Sequence, residues 1–217
     1  MVLKIKKKDS LEEKFLYKSS KAVVTPQEIE LANEFDQQLN KTIKKIERVL
    51  LKEKVLTRTN KKKDPLRAWF IIGEYINKFL EQNNLEVTDE PIFWDSLYGR
   101  SDLITKTVPK SRISYTRNDF NIAAILARRY SFEEAKRIGS WAVWREILSY
   151  KTFMKDGDGR MLDWVVHYLM QHAMTRDEAR QFLKAVSARF KRIEISILNR
   201  RELQEKLNNF VLKEFKI

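Results

Sequence analysis

The chain has 217 residues, of which 43 are Lys or Arg and 30 are Asp or Glu, so its formal net charge at pH 7 is +13. A hydrophobic content of 43% excludes general disorder, and only five Gly and four Pro favour helices over sheets. The absence of Cys excludes disulfides, thiolate zinc sites and cysteine nucleophiles. The composition therefore predicts an all-α protein, and its positive charge favours a polyanionic partner.

The N-terminal residues 1–24 are basic and lack the apolar segment of a signal peptide. No apolar run in the chain approaches the ~20 residues that a membrane-spanning helix needs. We expect a flexible basic arm over 1–24 and an intracellular protein of the cytoplasm, nucleoid or organelle matrix, neither secreted nor bound to a membrane.

A long amphipathic helix followed by a basic connector is predicted over residues 25–63. Thr25-Pro26-Gln27-Glu28 has the pattern of a capping box with Pro at the first helical position. Apolar residues then recur every three or four positions from Ile29 to Leu50, which predicts a helix to about Leu56. Residues 26–56 are therefore one candidate surface for a protein partner.

A helical core domain is predicted over residues 64–198. Asp64-Pro65 caps a strongly apolar helix that ends near Asn83. Short helices joined by basic loops are expected between Leu85 and Arg112, one of them running from Ile92 to Tyr98 and ending at Gly99. Thr116-Arg117-Asn118-Asp119 matches a further capping box, which predicts a new helix that continues to Tyr130.

The segment 131–148, SFEEAKRIGSWAVWREIL, has the outline of a helix-turn-helix. Ser131 and Glu134 form a capping box, which predicts a first helix over 132–138. Gly139 is suited to a left-handed turn, and Ser140 is a suitable N-cap for a second helix. Ala135 is the small residue expected where the two helices cross. The alternative interpretation is an ordinary corner of a helical core.

The remaining signals predict three further helices. A turn at 156–159 precedes a helix over 161–173, and Thr175-Arg176-Asp177-Glu178 caps another long one. The apolar phase slips at 199–201, which indicates a kink or a break before a C-terminal helix over 199–217. Residues 176–216 are the second candidate surface for a protein partner.

The order of several short motifs resembles the helical N-terminal domain of the YhcG-type nuclease proteins. The motifs are WFIIGEYI at 69–76, Tyr98-Gly99, SYTRNDF at 114–120, SWAVWREIL at 140–148 and the helix start at 175–182. The resemblance implies a helical domain that contains a helix-turn-helix and binds nucleic acid. It does not extend to a nuclease domain of the PD-(D/E)xK type, and Val143 replaces the family's His.

No motif in the chain supports catalysis. Asp156, Asp158 and Asp163 do not complete a calcium loop, since Met161 replaces its Gly and His167 its Glu. His167 and His172 are five positions apart and fall on different faces of a helix. We therefore expect no catalytic residues, no metal and no cofactor.

Residues 100–160 contain thirteen Lys or Arg and seven Asp or Glu, and this surplus surrounds the helix-turn-helix-like segment. The predicted nucleic-acid-binding residues are Arg112, Arg117, Arg128, Arg129, Lys136, Arg137, Arg145 and Lys151. Those that flank the first helix are expected to contact phosphates, and Arg145 to reach a base edge or a phosphate. One of Trp141 and Trp144 is expected in the core, with stacking of an exposed ring on bases as the alternative.

We therefore predict a non-catalytic nucleic-acid-binding protein, with DNA favoured over RNA as the partner. One alternative is a structural subunit of a ribonucleoprotein or polymerase-type complex. Another is the recognition subunit of a nuclease whose catalytic domain is a separate chain.

Overall fold

The computed structural model describes residues 25–56, 64–85, 90–150, 153, 159–172, 174–190 and 199–215. The predicted basic arm, the basic connector and most of the turn at 156–159 lie outside these ranges. All regular elements of the described residues are helices, so the all-α prediction is confirmed. The chain divides into two compact units, Met1–Tyr130 and Ser131–Ile217, and this division falls within the predicted domain 64–198.

The first unit contains five α-helices and a short 3₁₀ turn in its described part. They are α1 Pro26–Lys52, α2 Leu66–Gln82, α3 Glu90–Arg100, α4 Asp102–Thr107, the 3₁₀ turn Lys110–Arg112 and α5 Ile113–Arg129. The predicted capping box of α1 is confirmed, since the backbone N–H of Thr25 donates to the Glu28 carboxylate and the Glu28 N–H to the Thr25 hydroxyl. Helix α1 ends at Lys52, four residues before the predicted Leu56.

The buried side of α1 packs on its neighbours in the first unit and begins about halfway along the helix. Leu39, Ile43, Ile46 and Leu50 are its buried residues, and the helix packs against α2 and α3. The rings of Phe35 and Phe79 also meet edge to face at 5.3 Å. The burial of these side chains is the main stabilising contribution of α1, because the hydrophobic effect scales with the apolar area removed from water.

Helices α2 and α5 form the most extensive contact in the first unit. Gly73 of α2 lies so close to α5 that an added Cβ would stand 2.0 Å from the carbonyl oxygen of Ala123. Next to it, the buried Asn77 side chain donates to the carbonyl oxygen of Ala124 at 2.9 Å. Glycine is required here because any side chain would separate the two helices.

Two predictions for the first unit are wrong. The predicted capping box at 116–119 does not exist, since α5 already begins at Ile113 and the buried Thr116 donates its hydroxyl to the carbonyl oxygen of Arg112 inside the helix. Gly99 does not end α3, which runs from Glu90 to Arg100 and includes it. Thr116 comes after α5 has already begun, and Gly99 does not adopt the positive φ with which a glycine ends a helix, so α3 continues for one more residue.

The second unit contains five helices in its described part, which are α6 Phe132–Ile138, α7 Trp141–Ser149, α8 Arg160–Gln171, α9 Arg176–Phe190 and α10 Arg200–Phe215. The predicted capping box before α9 is confirmed, because Thr175 and Glu178 exchange the expected hydrogen bonds. The predicted break at 199–201 coincides with the start of α10, where the Asn199 side chain accepts from the Glu202 N–H.

Three helix–helix contacts form the core of the second unit. Helix α6 packs on α8, α7 packs on α9 and α8 packs on α10. The side chains of Trp144, Phe182 and Leu207 are fully buried within it. Tyr168 stacks on Phe182 with ring centroids 4.6 Å apart. None of the helices in the described part of the chain has the length and the apolar character that crossing a bilayer requires.

Candidate nucleic-acid interface

The two short helices predicted at 131–148 are present, as α6 and α7 of the second unit. Helix α6 begins with the predicted capping box, in which the Ser131 N–H donates to the Glu134 carboxylate at 2.7 Å. The Glu134 N–H donates in return to the Ser131 hydroxyl at 3.3 Å. The Ser131 hydroxyl also donates to the Glu134 carboxylate, at 2.8 Å, and the bond from the Ser131 backbone followed by this one lowers the pKa of the Glu134 carboxyl. Glu134 therefore fixes the start of α6.

Gly139 makes the turn between α6 and α7, but not in the left-handed helical conformation that the sequence predicts. Its φ of 129° and ψ of −145° lie in a region that only glycine adopts at low cost. Ser140 occupies the N-cap position of α7 in an extended conformation, and its side chain makes no capping hydrogen bond. The turn thus depends on Gly139 rather than on a capped α7.

The crossing of α6 and α7 is fixed by one buried hydrogen bond. The Trp144 indole nitrogen donates to the carbonyl oxygen of Ala135 at 2.9 Å, and both residues are fully buried. Trp141 is also buried, at 5% exposure. Both tryptophans therefore belong to the core, so the alternative in which one stacks on nucleic-acid bases is wrong.

Three cations of this corner are exposed to solvent. Lys136 and Arg137 in the last turn of α6 are exposed, and so is Arg145 in the middle of α7. Ala142 and Val143, at the start of α7, are half-buried. We call Lys136, Arg137 and Arg145 the corner cations. The burial of Ala135 and Trp144 determines this arrangement. Residues next to them in each helix point away from the buried side, because successive positions of a helix face different directions.

Glu146, which follows Arg145 in α7, is already paired with an arginine of another helix. Glu146 of α7 accepts a hydrogen bond from the Arg180 guanidinium of α9 at 3.2 Å, and this bond raises the pKa of Arg180. Burial, followed by the charge of Glu146, raises the pKa of the Tyr150 phenol. Sequence reasoning missed this ion pair because its partners are 34 residues apart and no local pattern connects them.

The other predicted binding residues belong to the first unit or lie outside the described ranges. Arg112, in the 3₁₀ turn just before α5, is exposed and Arg117 near the start of α5 is half-buried, whereas Arg128 is exposed and Arg129 half-buried at its end. The rise of an α-helix separates Arg112 from Arg128 by about 24 Å. The four arginines therefore form two pairs at opposite ends of α5. Lys151 lies outside the described residues.

A groove of about 620 Å³ lies between α8 and α10 in the second unit. Its lining residues include Arg160, Asp163, Trp164, His167 and Gln204. His167 and His172 are engaged separately, the first with the Gln171 side chain and the second with the carbonyl oxygen of Tyr168. Within the described part of the chain, no three His, Asp or Glu side chains are placed to hold a metal ion.

Comparison with known proteins gives no relative for this chain. No protein-family model, no curated protein and no solved structure matches it.

Proposed function

We propose that this protein binds nucleic acid, with duplex DNA as the favoured form, through the corner cations on α6 and α7. The observation that carries the proposal is the α6–α7 corner itself. The Trp144–Ala135 hydrogen bond joins the two helices, and Lys136, Arg137 and Arg145 are exposed on them. Two short helices joined by a tight turn, with cations at the surface, are what groove recognition by a helix-turn-helix requires.

The three corner cations take different roles in this proposal. Lys136 and Arg137 lie at the end of α6 and contact phosphates, which position the protein without reading sequence. Arg145 lies one turn into α7, the helix in the position of a recognition helix, and its planar guanidinium suits a guanine edge or a phosphate. Arg145 is therefore the residue on which sequence preference depends most.

Two further features support the proposal. The net charge of +13 favours any polyanion through the release of counterions. The ordered motifs that resemble the N-terminal domain of the YhcG-type proteins include the SWAVWREIL segment from which α7 is built. Neither feature selects α6 and α7 by itself, and that selection rests on the exposure of the corner cations.

The test is the affinity of the purified full chain for labelled duplex DNA over a series of salt concentrations. The Arg145→Glu variant and the Lys136→Glu/Arg137→Glu variant should bind at least tenfold more weakly. Their plots of log affinity against log salt should also be less steep, by about 0.9 for each lost phosphate contact. Lys206→Glu matches the charge change of Arg145→Glu at an exposed position of α10, and Lys206→Glu/Lys213→Glu matches that of the double variant; both controls should have smaller effects. Equal losses in all variants would show only non-specific attraction and would contradict the proposal.

An assembly subunit is the second candidate function, and exposed apolar residues on the long helices favour it. Ile29 and Leu31 near the start of α1 are 44% and 64% exposed, and Leu212 near the end of α10 is 59% exposed. Exposed apolar residues on a helix suit contacts with a protein partner. An isolated chain that binds no DNA but self-associates, with Leu31→Ser restoring the monomer in light scattering, would favour this function instead.

A further inference from the structure

Tyr115 is unusual among the aromatic residues of this protein. It lies in the first turn of α5 with 64% of its surface exposed. Every other aromatic residue whose side chain the structure describes is buried or half-buried. Among the described residues, none makes a ring contact or a hydrogen bond with the Tyr115 phenol. A large ring that is mostly exposed to solvent suits a contact with a partner.

The surroundings of Tyr115 are basic. From 103 to 118 the chain contains four Lys or Arg and no Asp or Glu. Two of these cations, Lys110 and Arg112, are exposed in the 3₁₀ turn immediately before α5. Arg112 and Asn118 are three positions before and after Tyr115, so they lie on the same side of the helix. No acidic residue occupies the first turn of α5.

An exposed aromatic ring between cations favours an unpaired nucleic-acid strand as the binding partner. A base in a duplex presents its edges to a protein, whereas an unpaired base also presents its face, on which an aromatic ring stacks. The phosphates of the same strand are attracted by the neighbouring cations. An apolar protein surface is a poor partner for this site. It would bury the charges of Lys110 and Arg112 without counter-charges, and such burial costs free energy.

We propose that the 3₁₀ turn and the first turn of α5 form a contact site for a single, unpaired nucleic-acid strand. One base stacks on the Tyr115 ring, while Lys110 and Arg112 contact the adjoining phosphates. The inference rests on the proposed function in so far as both make the protein a nucleic-acid-binding one. It concerns a different unit from the corner cations and a different form of nucleic acid.

The experiment measures the affinity of the full chain for three labelled probes, namely oligo(dT), oligo(rU) and a mixed-sequence duplex. Tyr115→Ala should bind the single strands about tenfold more weakly, because a stacked base is lost, and the duplex with unchanged affinity. Tyr115→Phe keeps the ring and should bind like the parent chain. Leu51→Ala, which also removes an exposed apolar side chain, is the matched control and should have no effect.

The cations are tested separately from the ring. Lys110→Glu/Arg112→Glu should weaken binding to both single strands and lower the salt slope by about 0.7 for each lost phosphate contact. Because all these positions are exposed, the variants should fold like the parent chain, which circular dichroism verifies. Tighter binding of oligo(rU) than of oligo(dT) would identify RNA as the strand, and the reverse order would identify DNA.

The outcomes separate this inference from the proposed function. If the duplex binds through the corner cations but the single strands do not bind, the inference is overturned and the proposed function stands. If the single strands bind in a Tyr115-dependent way but Arg145→Glu leaves duplex affinity unchanged, the proposed function fails and the inference stands. An equal loss for strands and duplex with Tyr115→Ala would overturn the selectivity for unpaired bases.

Discussion

The indole nitrogen of Trp144 donates a hydrogen bond to the carbonyl oxygen of Ala135, nine residues earlier, at 2.9 Å. This bond closes the turn between α6 and α7 from inside the core. It explains how two helices of seven and nine residues, too short to be stable alone, hold a defined crossing.

Replacing Trp144 by Phe should therefore destabilise the protein. The ring keeps most of its apolar contacts, but the buried carbonyl oxygen of Ala135 loses its donor, which costs about 1–3 kcal/mol. Urea unfolding measures the change. Ala135→Leu should be at least as damaging because it overpacks the crossing, whereas Lys136→Leu at the exposed neighbouring position should change the free energy of unfolding little. Similar stabilities of Trp144→Phe and the parent chain would contradict the role given to this bond.

Gly139→Ala should destabilise the α6–α7 corner by about 1–3 kcal/mol, because φ is 129° and a side chain is strained there. The effect is one of backbone conformation, since the nearest atom to an added Cβ is 3.8 Å away. Asn tolerates the left-handed helical region but not this one, so Gly139→Asn should be as unstable as Gly139→Ala. Rescue by Asn, measured by thermal unfolding, would show that the turn is left-handed after all.

Gly73→Ala and Gly99→Ala form a matched pair of variants that tests helix packing in the first unit. An added Cβ at Gly73 would collide with the Ala123 backbone on α5, so Gly73→Ala should cost more than about 3 kcal/mol. Gly99 lies within α3 with no atom within 4 Å of an added Cβ, so Gly99→Ala should stabilise the protein by about 0.5–1 kcal/mol through its helix propensity. Opposite signs in denaturant unfolding are the expected result, and equal effects would contradict the close approach of α2 and α5.

Three capping glutamates should make stability depend on pH. Hydrogen bonds from Thr25, Ser131 and Thr175 lower the pKa of Glu28, Glu134 and Glu178 below the ordinary value of 4.5. A carboxyl with a lower pKa in the folded state stabilises above its unfolded pKa, and this contribution is lost as the pH falls through the folded pKa. Stability measured by urea unfolding should thus decrease as the pH falls below 4.5.

The variant in which these three glutamates become Gln should be less stable at neutral pH and less dependent on pH in that acidic range. Glu133→Gln, an exposed glutamate beside Glu134, is the control and should keep the pH dependence of the parent chain. An unchanged pH profile in the triple variant would show that the capping boxes do not titrate as expected.

Glu146→Gln should strengthen binding of duplex DNA. The change removes a negative charge beside Arg145 and releases Arg180, which Glu146 now binds at 3.2 Å. If Arg180 then contacts a phosphate, the salt slope should become steeper by about 0.9. Glu205→Gln on α10 releases Arg201 in the same way and is the matched control. A larger gain in affinity from Glu205→Gln than from Glu146→Gln would contradict the placement of the interface on α7.

The local sequence was sufficient where a helix end depends on residues three positions apart. The starts of α1, α6 and α9 follow from capping boxes, because both hydrogen bonds form within one turn of the chain. The same pattern failed at Thr116, where α5 had already begun and the hydroxyl bonds to its own helix instead. A capping motif predicts a helix start only where the preceding residues are not helical, and the motif itself does not contain that information.

The candidate sites also combine features that the local sequence predicts with features that depend on the fold. Lys136, Arg137 and Arg145 were identifiable from charge and spacing, since an exposed cation needs no distant partner to stay at the surface. The pairing of Glu146 with Arg180 and the exposure of Tyr115 were not, because they depend on which helices pack together. The sequence by itself determined the helical class, the capped helix starts and the positive charge, all of which arise from composition or from neighbours along the chain. Only the tertiary structure decided that both tryptophans of α7 are buried, that Gly73 is indispensable and that Tyr115 is exposed, because burial is a property of contacts between residues far apart in sequence.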